Sequence, residues 1–291
     1  MNAEAPAITL AAPRHVAPAR RDAKPPREFG AHLMLALLSL LSVFPIYWML
    51  VSALRADNDI FSTDLWPAAP SLDNFAYVIE SIPIGGMILT TFMVAAVSTV
   101  LQLVTGLLAA YAFARWRFAI GRVLFALLTV TWLIPAQVIM VPNFVLVSAL
   151  GLLDTPGALI IPHAASAFAI MILYQAIRSF PEELIDAARM DGGGHMTVLW
   201  RVMVPNMRPA LASLGILLFI SSWNEYFWPL LVTRSVENAV VQIGLQMFMT
   251  QEGDQWGPLM AAASLVSLPV LALYLVLQRQ IIDSFVKSGI R

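Results

Sequence analysis

The chain of 291 residues is 59% hydrophobic and 12% charged, with a mean hydropathy of +0.77. A soluble globular domain carries about 25% charged residues, so the composition argues against one. The net charge of −1 sums two oppositely biased faces and offers no case for a nucleic-acid partner, and the absence of cysteine removes disulfides, thiol catalysis and cysteine metal sites.

Residues 1–28, rich in Ala, Pro and Arg without apolar periodicity, read as a disordered cytoplasmic tail. No cleaved signal peptide is expected: the first apolar run starts near residue 31, exceeds the usual length and lacks a small-x-small site. From there, charge-free stretches cover 29–54, 81–114, 123–153, 155–177 and 255–278, with a sixth at 209–233 broken only by Glu225. Crossing the hydrocarbon core takes about 20 apolar residues, so each stretch holds one helix. Runs such as Leu124–Ile139 do not alternate as barrel strands do. The expectation is an all-α bundle of six transmembrane helices near 31–54, 87–113, 122–147, 158–177, 209–232 and 258–279, filling a domain of residues 29–291. Pro135 and Pro142 are expected to kink or end the third, and Trp48, Trp66, Trp116 and Trp132 read as interfacial anchors.

Lys and Arg set the orientation. The tail holds Arg14, Arg20, Arg21, Lys24 and Arg27; later connections hold Arg115, Arg117, Arg122, Arg178, Arg189, Arg201 and Arg208; the C-terminal end adds Arg279, Lys287 and Arg291. The opposite side keeps only Arg55 and Arg234 among nine acidic residues. Both termini are therefore expected in the cytoplasm. The external segments 55–86 and 233–257 each leave room for a short helix, the second around Ala239–Met249.

The cytoplasmic loop 178–208 is the richest segment. Ser179 and Glu182 have capping-box spacing, with Pro181 in the first turn. The expected helix continues to Met190, with Leu184, Ala187 and Ala188 as an apolar stripe. Asp191-Gly192-Gly193-Gly194 breaks it, and a second amphipathic helix runs from His195 to Val204, with Val198, Leu199 and Val202 on one face, ended by Pro205. These residues alone leave two readings open, a partner-docking element or a cap on the chain's own bundle.

The run Asp186-Ala187-Ala188-x-x-Asp191-Gly192, nine residues, then Val202-x-Val204-Pro205 resembles the EAA motif of permease subunits of binding-protein-dependent ATP-binding-cassette (ABC) importers. Asp186 stands for the family's Glu, and Val202 and Val204 for its Ile and Leu. The resemblance covers roughly residues 30–291, through Ala109-Ala110-Tyr111-Ala112-Phe113-Ala114-Arg115, Gly151-Leu152-Leu153-Asp154-Thr155, Trp223-Asn224-Glu225 and Ser288-Gly289-Ile290-Arg291. It is strongest to the carbohydrate, maltose-permease-like group that also serves glycerol-3-phosphate. The resemblance implies the type I importer permease fold in the cytoplasmic (inner) membrane. It makes the loop a coupling helix docking on an ATPase subunit through Glu183, Asp186, Ala187, Ala188, Asp191, Gly192, Val202, Val204 and Pro205. The partners it implies are a second permease subunit as heterodimer, two ATPase subunits, an extracytoplasmic solute-binding protein and membrane lipid.

Glu225 is the only carboxylate well inside an expected span, where an unpaired charge costs several kcal/mol. With Trp223 and Asn224 it lies either near a translocation pathway or in a packing hydrogen bond. His163 beside Pro162 reads as a packed histidine. The chain's two lysines, Lys24 after Ala23 and Lys287 after Val286, fit no P-loop. No cofactor is thus expected on this chain, ATP and Mg being used by the partner. A secondary transporter would carry more intramembrane acids; an enzyme would show a metal-ligand pair or clustered carboxylates. The expectation is a non-enzymatic subunit importing a sugar-like solute by alternating access; a glycerol-3-phosphate-type organophosphate importer and, behind it, a secondary transporter are the alternatives.

Overall fold

The computed structural model describes residues 27–56, 59–116, 118–250 and 253–289. The expected tail therefore lies outside the described residues except at Arg27 and Glu28, where the first helix has already begun. The chain forms two compact units, Met1–Ile46 and Tyr47–Arg291.

The described part of the first unit belongs to α1 (Arg27–Ala53). Every side chain from Phe29 to Ile46 is exposed, and a helix apolar on all sides is stable in lipid rather than water.

In the second unit, α2 (Asp73–Ser81) precedes α3 (Ile84–Arg115), whose 32 residues extend about 48 Å. Then come α4 (Gly121–Leu133), α5 (Ala136–Ala149), α6 (Pro156–Ile160) with a 3₁₀ turn at Ile161–His163, and α7 (Ala167–Arg178). After α7 stand α8 (Glu182–Met190), α9 (His195–Thr197), a π-helical turn (Val198–Met203) and α10 (Val204–Asn206). The chain closes with α11 (Arg208–Trp223), α12 (Phe227–Val232), α13 (Val241–Gln246), a two-residue antiparallel ribbon of β1 (Met249–Thr250) and β2 (Gly253–Asp254), and α14 (Trp256–Gly289).

Among the described residues three helices are long and apolar enough to cross a membrane singly, and counting each of three bent pairs as one span raises the number to as many as six. The break at Pro135 is the one expected of the third span, and the bends in the other two pairs were not anticipated. α4 and α5 meet at 101° because Pro135 forces Ile134 out of the helical region, to ψ 123°; α5 itself runs through Pro142. α6 and α7 meet at 43°, where the Ser166 hydroxyl accepts the Ala169 N–H and opens a new helix. The expected span 209–232 breaks at Asn224–Tyr226. In a continuous helix Pro229 would offer no N–H to the Glu225 carbonyl and its ring would strike it, so the break falls there.

α3 is the hub, packed against both α7 and α11. A Cβ on Gly106 would stand 3.3 Å from that of Ala169, so the missing side chain lets the two helices approach closely. One buried cluster joins α3 and α7 to the segment 185–207 through Tyr111, Leu173, Ile185, Leu199 and Met203. A second joins α2, α3, α11, α13 and α14 around Met87, Phe219 and Trp223.

Candidate functional site

α8 shows why glycine follows it. Gly192 N–H donates to Arg189 O (2.9 Å) and Gly193 N–H to Ala188 O (2.9 Å), the paired bonds of a Schellman helix end. Gly192 takes φ +80°, a region costly for a residue with a Cβ. The expected capping box is absent. Ser179 Oγ donates back to Ala176 O, and Pro181 precedes the helix as its N-cap rather than lying in its first turn. Glu182 turns away to Arg115 instead, Nη1 donating to Oε1 (2.7 Å) and Nη2 to Oε2 (3.0 Å). This hydrogen bond, with the fields of Arg115, Arg189 and Arg178 behind it, holds the Glu182 carboxyl below the usual range.

The second helix also departs from expectation. It passes through Pro205 to Asn206 and turns at Met207, 79° from α11. The π turn absorbs the irregularity just before a proline that cannot donate to Arg201 O. Tyr111 OH and His195 Nδ1 stand 3.2 Å apart, and Trp116 meets the same imidazole edge-on at 5.9 Å.

The residues expected to dock sort into two groups. Glu183, Asp186, Ala187, Asp191 and Gly192 are exposed; Ala188, Val202, Val204 and Pro205 are half-buried. Of the expected stripe, Leu184 (45%) and Ala187 point outward while Ile185 (0%) faces the bundle. Met190 (89% exposed), Met196 and Trp200 add to this outward apolar face, and the sequence reading missed them. Their signal was helical spacing, since Met196 and Trp200 stand four apart on the side opposite Val198 and Leu199. Tyr111 was noted only as part of a run and Arg115 only there and among the basic residues that set orientation, because pairing across 67 or 84 residues leaves no local trace.

Glu225, Trp223 and Asn224 do not form one site. Trp223 is buried against Phe219, ring centroids 5.8 Å apart. Asn224 is exposed and donates through Nδ2 to Ile220 O. Glu225 Oε1 accepts the Trp228 N–H at 3.2 Å. Its carboxylate lines a cavity of about 80 Å³ together with His163, Gln102, Thr91 and Trp228. Such a space holds a few waters and no sugar ring. Around it Trp228 Nε1 donates to Ala158 O and Gln102 Nε2 to His163 O. The structure thus brings together Glu225 and His163, which the sequence reading had treated separately. Among the described residues no group of three His, Asp or Glu could hold a metal.

At the opposite end of the bundle Asp154, at φ +61°, joins two loops. Its Oδ1 accepts from Arg234 N–H, Ser235 N–H and Ser235 Oγ, and its carbonyl accepts from Asn238 Nδ2. These donors, Arg234 N–H first, pull its pKa down to about 2.

In the second unit, apolar helices packed on α3 and an exposed helical hairpin tied to its end are the arrangement of a polytopic membrane protein. Residues 102–287 match the binding-protein-dependent transport system inner membrane component, and the chain belongs to that family. It is 32% identical over 271 residues to the sn-glycerol-3-phosphate transport system permease protein of Yersinia pestis bv. Antiqua (strain Antiqua), covering 90% of this chain and 96% of that one. The lactose transport system permease protein of Rhizobium radiobacter is 29% identical (88% and 93% covered), and the arabinooligosaccharides transport system permease protein of Bacillus subtilis (strain 168) 30% (89% and 94%). The fold matches the crystal structure of a bacterial ABC transporter involved in the import of the acidic polysaccharide alginate. The TM-score is 0.75 at 25% identity, covering 87% of this chain and 96% of that one. The chain is a permease subunit of an ABC importer.

Proposed function

We propose that the chain imports a sugar, an oligosaccharide or a polyol phosphate, and that the segment 178–208 receives the ATPase subunit on the cytoplasmic side. The observation that carries this reading is the outward face of Leu184, Ala187, Met190, Met196 and Trp200, beside helices held to α3 by Arg115–Glu182 and Tyr111–His195. An exposed apolar face on a membrane protein's aqueous loop favours a protein partner. Two tethers to one rigid helix give such a partner a lever on the bundle. Asp186, Asp191 and Gly192 border the face; Val202, Val204 and Pro205 form its inner support.

ATP and Mg are used by the partner, since neither lysine of this chain stands in a P-loop. The basic residues favour cytoplasmic termini. A second permease, two ATPase subunits and a solute-binding protein complete the transporter, the permeases as a heterodimer. ATP-driven closure pushes the loops together, and the breaks at Pro135 and Glu225 let the bundle reorient between inward- and outward-open states. Glu225, kept within a small cavity in this conformation, lines the pathway as it opens.

The relatives' names supply the panel: glycerol-3-phosphate, lactose and an arabino-oligosaccharide, tested for uptake into proteoliposomes carrying the whole complex. ATP-dependent accumulation of at least one, lost without the binding protein, is the expected result. Uptake by the permease alone, without ATP, refutes the reading.

A further inference from the structure

A cavity of about 670 Å³ lies where the end of α3, the α3–α4 connection, the start of α4 and the end of α7 meet. One wall is a continuous series of rings: Phe118 to Phe113 at 5.8 Å, Phe113 to Phe125 at 5.5 Å, Phe125 to Tyr174 at 4.4 Å. Arg122, in the first turn of α4, and Arg178, the last residue of α7, also line it. Both are exposed, and neither makes an ion pair among the described residues. The carboxylate in reach, Glu182, feels Arg178 but is held in a two-pronged bond by Arg115. Between residues 81 and 181 the sequence has one acid, Asp154, and it is engaged with the loop at 234–238. Among the described residues, two guanidinium groups therefore face one cavity without an ion pair of their own.

We propose that this cavity binds the phosphate headgroup of an anionic phospholipid. Guanidinium forks suit phosphate oxygens, and basic pockets between spans on the cytoplasmic side take such headgroups. The rings give the adjoining acyl and glycerol region an apolar surface. The leaflet assignment rests on the proposed orientation; the binding chemistry does not. Arg178 leads directly into the segment carrying α8, and Trp116, on the same cavity, packs on His195. A bound headgroup therefore braces the loop proposed to dock.

The whole complex in nanodiscs, where both faces are accessible whatever the orientation, gives the test. Retention of phosphatidylglycerol or cardiolipin over phosphatidylcholine is read by native mass spectrometry. Anionic-lipid retention is expected in the native protein, about thirtyfold weaker in R122Q/R178Q, and largely kept in R122K/R178K. Co-elution with the ATPase reports separately on fold and docking, so a failure of either is seen apart from lipid loss. In a second arm, inorganic phosphate is titrated onto the complex in neutral detergent. Binding of phosphate that depends on the arginines, with lipid retention indifferent to them, overturns the headgroup in favour of a soluble phosphate. Equal lipid and phosphate binding by native and R122Q/R178Q protein overturns the site altogether.

Discussion

Replacing Gly192 by leucine separates docking from folding. At φ +80° a residue with a Cβ pays about 1–2 kcal/mol. No heavy atom lies within 4 Å of where the Cβ would stand, so no clash adds to this strain. For a domain of this size each kcal/mol lowers Tm by about 2–4 °C, and G192L is expected to fold and insert. The leucine side chain then stands on the exposed turn beside Met190 and Asp191, inside the proposed contact. A loss of roughly tenfold in ATP-dependent uptake, about 1.4 kcal/mol of partner contact, is expected in proteoliposomes. G192N is the control, because asparagine tolerates the left-handed region, and it should keep most activity. Full uptake by folded, inserted G192L at the native ATPase rate would refute the reasoning.

Three further outcomes follow from other contacts. Arg115→Glu should lower uptake per ATP hydrolysed, and adding Glu182→Arg should restore part of it; no recovery in the double variant means the bridge does not matter for coupling. Trp228→Phe leaves the Ala158 carbonyl without its donor at about 1–3 kcal/mol, so Tm in detergent should fall while co-elution with the ATPase is unchanged. Asp154 has its folded pKa lowered to about 2, against about 3.9 unfolded. Its carboxylate therefore stabilises the loop fully above about pH 4, and that contribution is lost as pH falls through about 2. D154N should flatten the acid limb of thermal stability in this window, and an identical limb in both proteins contradicts the assignment.

The crossings were legible because apolar length and the placement of arginine are summed over twenty residues and survive local error. The helix end at Gly192 was legible because Asp186-Ala187-Ala188 and Gly192 carry both a spacing and a backbone requirement. The breaks were less so. Pro229 lies four residues after Glu225, and its effect shows only when the missing N–H is traced back to that carbonyl. Ser179 looked like a cap, yet Glu182 found a stronger partner in Arg115, which local pattern could not reveal. Trp223, Asn224 and Glu225 are adjacent in sequence, but successive helical residues point about 100° apart. The break that follows separates them further, so only Glu225 reaches the cavity with His163.

The point at which the ATPase touches this chain decides whether segment 178–208 couples ATP hydrolysis to transport. No native cysteine is present, so Ala187→Cys and, at the other end of the bundle, Leu65→Cys each offer one thiol for a short bifunctional cross-linker in the assembled complex. Cross-linking of the ATPase at position 187 and not at 65 is the predicted result. An ATPase captured at 65, or native complex with no ATPase captured at 187, contradicts it.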